Sequence, residues 1–219
     1  MPINILFMGT PDFSCKTLEA LIDNFTQAKL SIVTMPDKVR SRGKSLSPSS
    51  VKSFAIKHNL DTYTPVTKKD VTDLVFKINP DLIIVVAYGV IIEKIVVDSY
   101  FCINIHASLL PKYRGASPIQ AALLNGDLVT GITLIQLNEY MDEGRILSKK
   151  ELYIEPTDNH GLLSNKLAQL GADLCVDFIK NNFLNNQIEL IEQNHNDATY
   201  CTKILKNDLL IDESMSIDL

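Results

Sequence analysis

The chain has 219 residues, 46% hydrophobic and 21% charged, which is enough apolar content for one large globular domain, or one domain and a fragment. A net charge of −5 excludes a surface that binds nucleic acid nonspecifically as a whole, while leaving room for a local basic patch. Cys15, Cys102, Cys175 and Cys201 lack CxxC spacing and a neighbouring His, so they read as idle thiols in a reducing compartment, not as a disulfide frame or zinc site. The N-terminus carries no basic signal segment, and no run approaches the roughly 20 apolar residues of a membrane span. A cytoplasmic protein is expected, with no membrane and no metal.

"INILFMG" (Ile3–Gly9) is a short apolar run closed by glycine, the pattern of a buried parallel strand. Thr10, Pro11 and Asp12 supply helix-start chemistry, and "FSCKTLEALI" has helical spacing. "LSIVTM" (Leu30–Met35) reads as a second strand, followed by a basic loop and a helix over about Ser49–His58. "DLIIVVAYG" (Asp81–Gly89) is the most apolar run and predicts a central strand, and "FCINIHA" (Phe101–Ala107) the next. "TGITLIQL" (Thr130–Leu137) and "ILSKKELYIE" (Ile146–Glu155) alternate better and suit antiparallel strands. "GLLSNKLAQLGADLCVDFIKN" (Gly161–Asn181) is a long amphipathic helix, and the pattern weakens after about Asn194. Alternating strands and helices imply an α/β fold with a mostly parallel sheet. Such sheets bind ligands beyond the carboxyl ends of their strands, where Gly9, Tyr88–Gly89 and Asn104–His106 all fall.

Asn104 and His106 stand two apart on a strand, hence on one face. On spacing alone, satisfying backbone groups at a strand end is the commoner use of such a pair. The functional use is an amide and an imidazole stabilising a developing oxyanion, which suits transfer of a carbonyl-derived group. Asp142, in "NEYMDEGRIL", sits in a common turn pattern; beside His106 it would orient the ring and favour its charged form. "GTPDF" lacks both G-x-G-x-x-G and GKS/T, so a dinucleotide or ATP site has little support there, and a tight turn at the edge of a site remains. In "PDKVRSRGKSLSPSSVK", Lys38, Arg40, Arg42, Lys44 and Lys52 face the single acid Asp37. This is either a solvated loop or one that contacts phosphates.

The stretch "NIHASLLPKYRGASPIQAALLNGDLVTGITL" (Asn104–Leu134) with "MDEG" (Met141–Gly144) closely resembles the 10-formyltetrahydrofolate-dependent formyltransferases. "MGTPDFS" (Met8–Ser14) and "RGKSLSPSSVK" (Arg42–Lys52) resemble the branch that formylates methionyl-tRNA, and not the purine-pathway or sugar branches. The likeness runs in order over about residues 1–206. It implies a Rossmann-like, mostly parallel open sheet with helices on both faces. It implies a catalytic set of Asn104, His106 and Asp142. It implies a folate site at Ser108, Leu109, Leu110 and Pro111 and at Ala87, Tyr88, Gly89, Val90 and Ile91. The loop Lys38, Arg40, Arg42 and Lys44 is implied to enter the acceptor-stem groove of tRNA. The implied reaction moves a formyl group from 10-formyltetrahydrofolate to the α-amine of initiator methionyl-tRNA, without a metal; a monomer is expected, although the sequence itself does not read out the oligomeric state.

Two residues depart from the pattern: Arg145, where relatives usually carry an acid, and Tyr140, where they often carry a small residue. The tRNA enzymes normally add a barrel-like second domain, so the expected organisation is a catalytic domain over 1–194 and the start of a linker over 195–219. The alternatives are a formyltransferase for a small amine such as an amino-sugar nucleotide, and an inactive folate- or tRNA-binding relic.

Overall fold

Strand β1 (Asn4–Gly9), buried from Ile5 onward, lies inside a seven-stranded sheet in this computed structural model, which describes residues 2–39, 46–205 and 208. Helix α1 (Asp12–Asn24) follows directly, then β2 (Lys29–Val33). A two-residue hairpin pair, β3 (Lys38–Val39) and β4 (Leu46–Ser47), precedes α2 (Ser50–Lys57). Next come β5 (Asp61–Tyr63), α3 (Lys68–Ile78), β6 (Leu82–Val86), α4 (Lys94–Ser99) and β7 (Cys102–His106). The second half holds β8 (Arg114–Gly115), α5 (Pro118–Leu124), β9 (Val129–Gln136), β10 (Ile146–Tyr153) and α6 (His160–Phe178). A π-helical turn, Ile179–Phe183, extends α6, and a short 3-10 turn, His195–Asp197, leads to β11 (Tyr200–Cys201).

The sheet order is β10-β9-β7-β6-β1-β2-β5. The pairs from β7 through β5 are parallel, and β9 is antiparallel to both β7 and β10. Strand β6, "LIIVV", is buried at every position because both of its faces are covered. On one face Phe7, Ile84, Ile105 and Leu134 pack against Leu18 and Leu21 of α1 and Leu163 and Leu167 of α6. On the other, Leu6, Met8, Ile83 and Val85 pack against Val71 and Val75 of α3 and Val96 of α4. The chain leaves β1 towards β2 and β5, then returns to β6 on the opposite side. The crevice at this change of direction is therefore open at the carboxyl ends of β1 and β6. Two side chains stitch its floor: Ser14 Oγ donates to Val86 O (2.7 Å) and Thr10 Oγ1 to Tyr88 O (2.8 Å).

The expected strands and the long helix are present, with β2 ending at Val33, short of Met35. Helices α3, α4 and α5 and strand β5 were not anticipated. Helices α4 and α5 and strand β5 span only 6, 7 and 3 residues, too few to show a strong period, whereas α3, 11 residues long, carries Val71, Leu74, Val75 and Ile78 at helical spacing. Helix α3 also carries a full capping box: Thr67 Oγ1 accepts from Asp70 N (3.1 Å), and Asp70 accepts from Thr67 N (2.8 Å). No helix among the described residues is long and apolar enough to cross a membrane.

Candidate active site

The parity of β7 settles where its polar pair points. Ile103 and Ile105 face the α1/α6 layer and Cys102 the other, so Asn104 and His106 project together on the Cys102 side. There the chain after β9 folds back over them and brings in Asp142. Asp142 Oδ1 accepts from Asn104 Nδ2 (3.3 Å) and lies 3.6 Å from His106 Nδ1. Its Oδ2 accepts from the backbone N–H of Gly115 (2.8 Å). The His106 and Asp142 side chains are only 6% and 12% exposed, so these contacts are what make a nearly buried carboxylate tolerable. His106 Nε2 meets Tyr113 O at 2.9 Å. A carbonyl only accepts, so Nε2 carries hydrogen, and Nδ1 faces the Asp142 carboxylate at the cavity.

These three side chains line a cavity of about 700 Å³ at the sheet's carboxyl edge. Ala87, Tyr88, Gly89, Val90 and Ile91 line it on one side, and Leu137–Met141 form a lip. Ala87 (φ +48°) and Gly89 (φ +90°) bend the wall into the left-handed region. Burial pushes the Tyr88 phenol up to about 12, so it stays neutral throughout the ordinary pH range. Pro11 and Phe13 of "GTPDF" reach the cavity, which gives that turn its place at the site's edge.

Ser108, Leu109, Leu110 and Pro111 are not brought to the cavity lining. Their turn is bonded to β9 instead: Leu110 N donates to Thr133 Oγ1 (3.0 Å), which donates to Ser108 O (2.7 Å). Leu110 is buried with Ile135 and Ile146. The segment thus supports the end of β7 and returns the chain to Tyr113 and Gly115, whose backbone groups hold His106 and Asp142. Tyr140 sits on the cavity lip, 61% exposed. Arg145 turns away, donating to Gln136 Oε1 (3.0 Å) and lying 3.9 Å from Glu192. Neither departure breaks the Asp142 contacts. Lys38 is exposed in β3, whereas Arg40, Arg42 and Lys44 lie outside the described residues. Lys52 is committed to Asp37 at 2.8 Å and is not free for a partner.

Sequence reasoning missed Gly115 and Tyr113, which act through backbone atoms, and a buried group behind the Asp142 loop. Arg114, 1% exposed, pairs with Glu143 (3.1 Å) and donates to Gln193 Oε1 from Nε (3.1 Å) and Nη2 (2.8 Å). Thr199 and Cys201 bond the same loop: Tyr113 N donates to Thr199 Oγ1 (2.9 Å), Arg114 N to Thr199 O (2.8 Å) and Ala116 N to Cys201 O (3.1 Å). Among the described residues no group of three or more His, Cys, Asp or Glu is placed to hold a metal.

The family described as formyl transferase matches residues 1–179. A methionyl-tRNA formyltransferase of Agathobacter rectalis is 42% identical over 208 residues, covering 93% of this chain and 66% of the relative. Another, from Ehrlichia ruminantium strain Gardel, is 42% identical over 219 residues, covering 98% and 71%. The chain thus spans about two thirds of the length of these relatives. A solved 4-N formyltransferase from Francisella tularensis superposes with a TM-score of 0.77 at 22% identity, covering 98% of this chain and 83% of that one. With the family match spanning the strand that carries the polar pair and the loop that carries Asp142, the chain belongs to the formyl transferase family.

Proposed function

We propose that this chain transfers a formyl group from 10-formyltetrahydrofolate to the α-amine of initiator methionyl-tRNA. The observation that carries the reading is the convergence of Asn104, His106 and Asp142 at one cavity wide enough for a folate head group. Identity at the 42% level to methionyl-tRNA formyltransferases over nearly the whole chain supports the choice of substrate.

The amine lone pair attacks the formyl carbon, and the carbonyl π electrons move onto oxygen. Asn104 Nδ2 has two hydrogens: one is given to Asp142, and the other is free for the oxyanion. His106 in its charged form donates from Nδ1 to the same oxygen. One such donor is worth roughly 3 kcal/mol in a preorganised site, so a pair carries much of the rate enhancement. Asp142 accepts the proton that the attacking nitrogen must lose, directly or through one water. When the bond from the formyl carbon to folate N10 breaks, N10 takes up a proton, and tetrahydrofolate and the N-formyl product leave. Ala87–Ile91 and the lip Leu137–Met141 are proposed to hold the folate ring. Lys38 with Arg40, Arg42 and Lys44 is proposed to grip phosphates of the tRNA stem. In this reading the catalytic unit runs through Cys201, because Thr199 and Cys201 are bonded into the loop that holds Asp142.

The test is direct. The protein is incubated with labelled 10-formyltetrahydrofolate and either charged initiator tRNA or an amino-sugar nucleotide, and label on the amine is followed. Transfer to methionyl-tRNA is expected; transfer to the sugar alone, or to neither, overturns the reading.

A further inference from the structure

Gln193 lies outside the segment that the formyl transferase family matches, and neither it nor Arg114 lines the cavity. Yet its side chain is 4% exposed and every polar position on it is used. Nε2 donates to the carbonyls of Asp142 (2.8 Å) and Gly144 (2.7 Å), while Oε1 accepts both bonds from Arg114. Arg114 is fixed in turn by Glu143 and by Tyr200, whose hydroxyl lies 3.3 Å from Nη1. Asp142 has φ +55°, in the left-handed region that aspartate enters more readily than most residues but that still needs its neighbouring contacts to hold it. The two carbonyls gripped by Gln193 belong to that residue and to the one two places on. We infer that Gln193, anchored by Arg114, is the positioning residue for Asp142. It sets the backbone so that one carboxylate reaches Gly115, Asn104 and His106 together.

The inference rests on the proposed formyl transfer for its kinetic test, and a second readout is independent of activity. Gln193→Glu keeps both acceptor contacts to Arg114 and removes both donors, so it severs the positioning arm and leaves the anchor. Its kcat is expected to fall about 10- to 100-fold, the order of loss that a misplacement of about 1 Å brings to a reacting group, and its thermal midpoint to fall as well, because two buried carbonyls lose their donors. Solvent exchange of the Gly115 amide, which is donated to Asp142, is expected to accelerate while amides of β6 stay protected. In an Asp142→Asn background the same change should cost less than about threefold, since a residue acting through Asp142 has nothing left to position. Parental kcat and parental Gly115 exchange in Gln193→Glu overturn the inference, as does an undiminished loss in the Asp142→Asn background. Should Gln193→Glu not fold, Gln193→Asn, which keeps the amide but shortens its reach, carries the same expected outcomes. If the parent protein formylates no amine, the functional reading fails, and Gly115 exchange alone decides this inference.

Discussion

Asp142 bears more at once than any other side chain around the cavity: an amide, an imidazole and a backbone N–H converge on its two oxygens. Its negative charge draws in the Asn104 amide and the Gly115 N–H, and its oxygens are the nearest base to an attacking amine. Asp142→Asn keeps the shape and removes both effects. We expect kcat to fall by roughly 100-fold or more, with folate affinity little changed because the cavity walls remain. Single-turnover transfer and folate titration read the two separately, and a kcat within about threefold of the parent would contradict the proposed role. The three side chains were singled out through the family resemblance, because spacing alone favoured a backbone-satisfying pair and Asp142 stood in a common turn pattern. Gly115 and Tyr113 were not, since a backbone N–H or C=O looks the same at every position. Gln193 was illegible for a different reason: it meets Arg114 across 79 residues of chain, and nothing local marks a glutamine as a partner.

At the level of elements, the site depends on how closely α6 lies on the sheet. Gly171 of α6 faces Ile105, the residue between Asn104 and His106, and a Cβ built there would sit 2.9 Å from Ile105 Cγ2. That approach is closer than real side chains make, so the helix can seat on β7 only with no side chain at this point. Gly171→Leu must lift α6 or push β7, and overpacking of this kind costs roughly 1–3 kcal/mol. Denaturant unfolding should show that loss, and kcat should fall with it because the strand that moves is the one bearing the polar pair. A Gly171→Leu protein with parental stability would mean that α6 does not set the position of β7. The long elements were readable because α6 and the buried strands repeat their pattern several times. The strand order was not, because it is decided by which faces α1, α3, α4 and α6 cover, and that is set by contacts far apart in the chain, even for α3, whose Val71, Leu74, Val75 and Ile78 recur at helical spacing.

Taken as a whole molecule, the chain is acidic at −5, so binding of a polyanion cannot come from its average field and must come from local charge. The stretch from Lys38 to Lys44 concentrates four cations, and Lys52, the fifth nearby, is already neutralised by Asp37. If these four are the proposed tRNA grip, each phosphate contact releases counterions, and the affinity falls steeply with salt. Replacing Arg40 and Arg42 together by Ala should raise the tRNA concentration for half-maximal rate. It should also flatten the slope of log affinity against log salt by roughly 1 to 2, a little under one unit per lost contact. Folate affinity should not move, since the described base of this loop, at Lys38 and Ser47, is not among the cavity-lining residues. The deciding control is a minimal aminoacyl substrate without the tRNA stem. On it the double variant and the parent should have the same rate, because no stem phosphate remains to be gripped. Equal impairment on the minimal substrate would show that the loop shapes the catalytic cavity instead. No impairment on charged tRNA would remove these cations from recognition and return a small amine to contention as the acceptor.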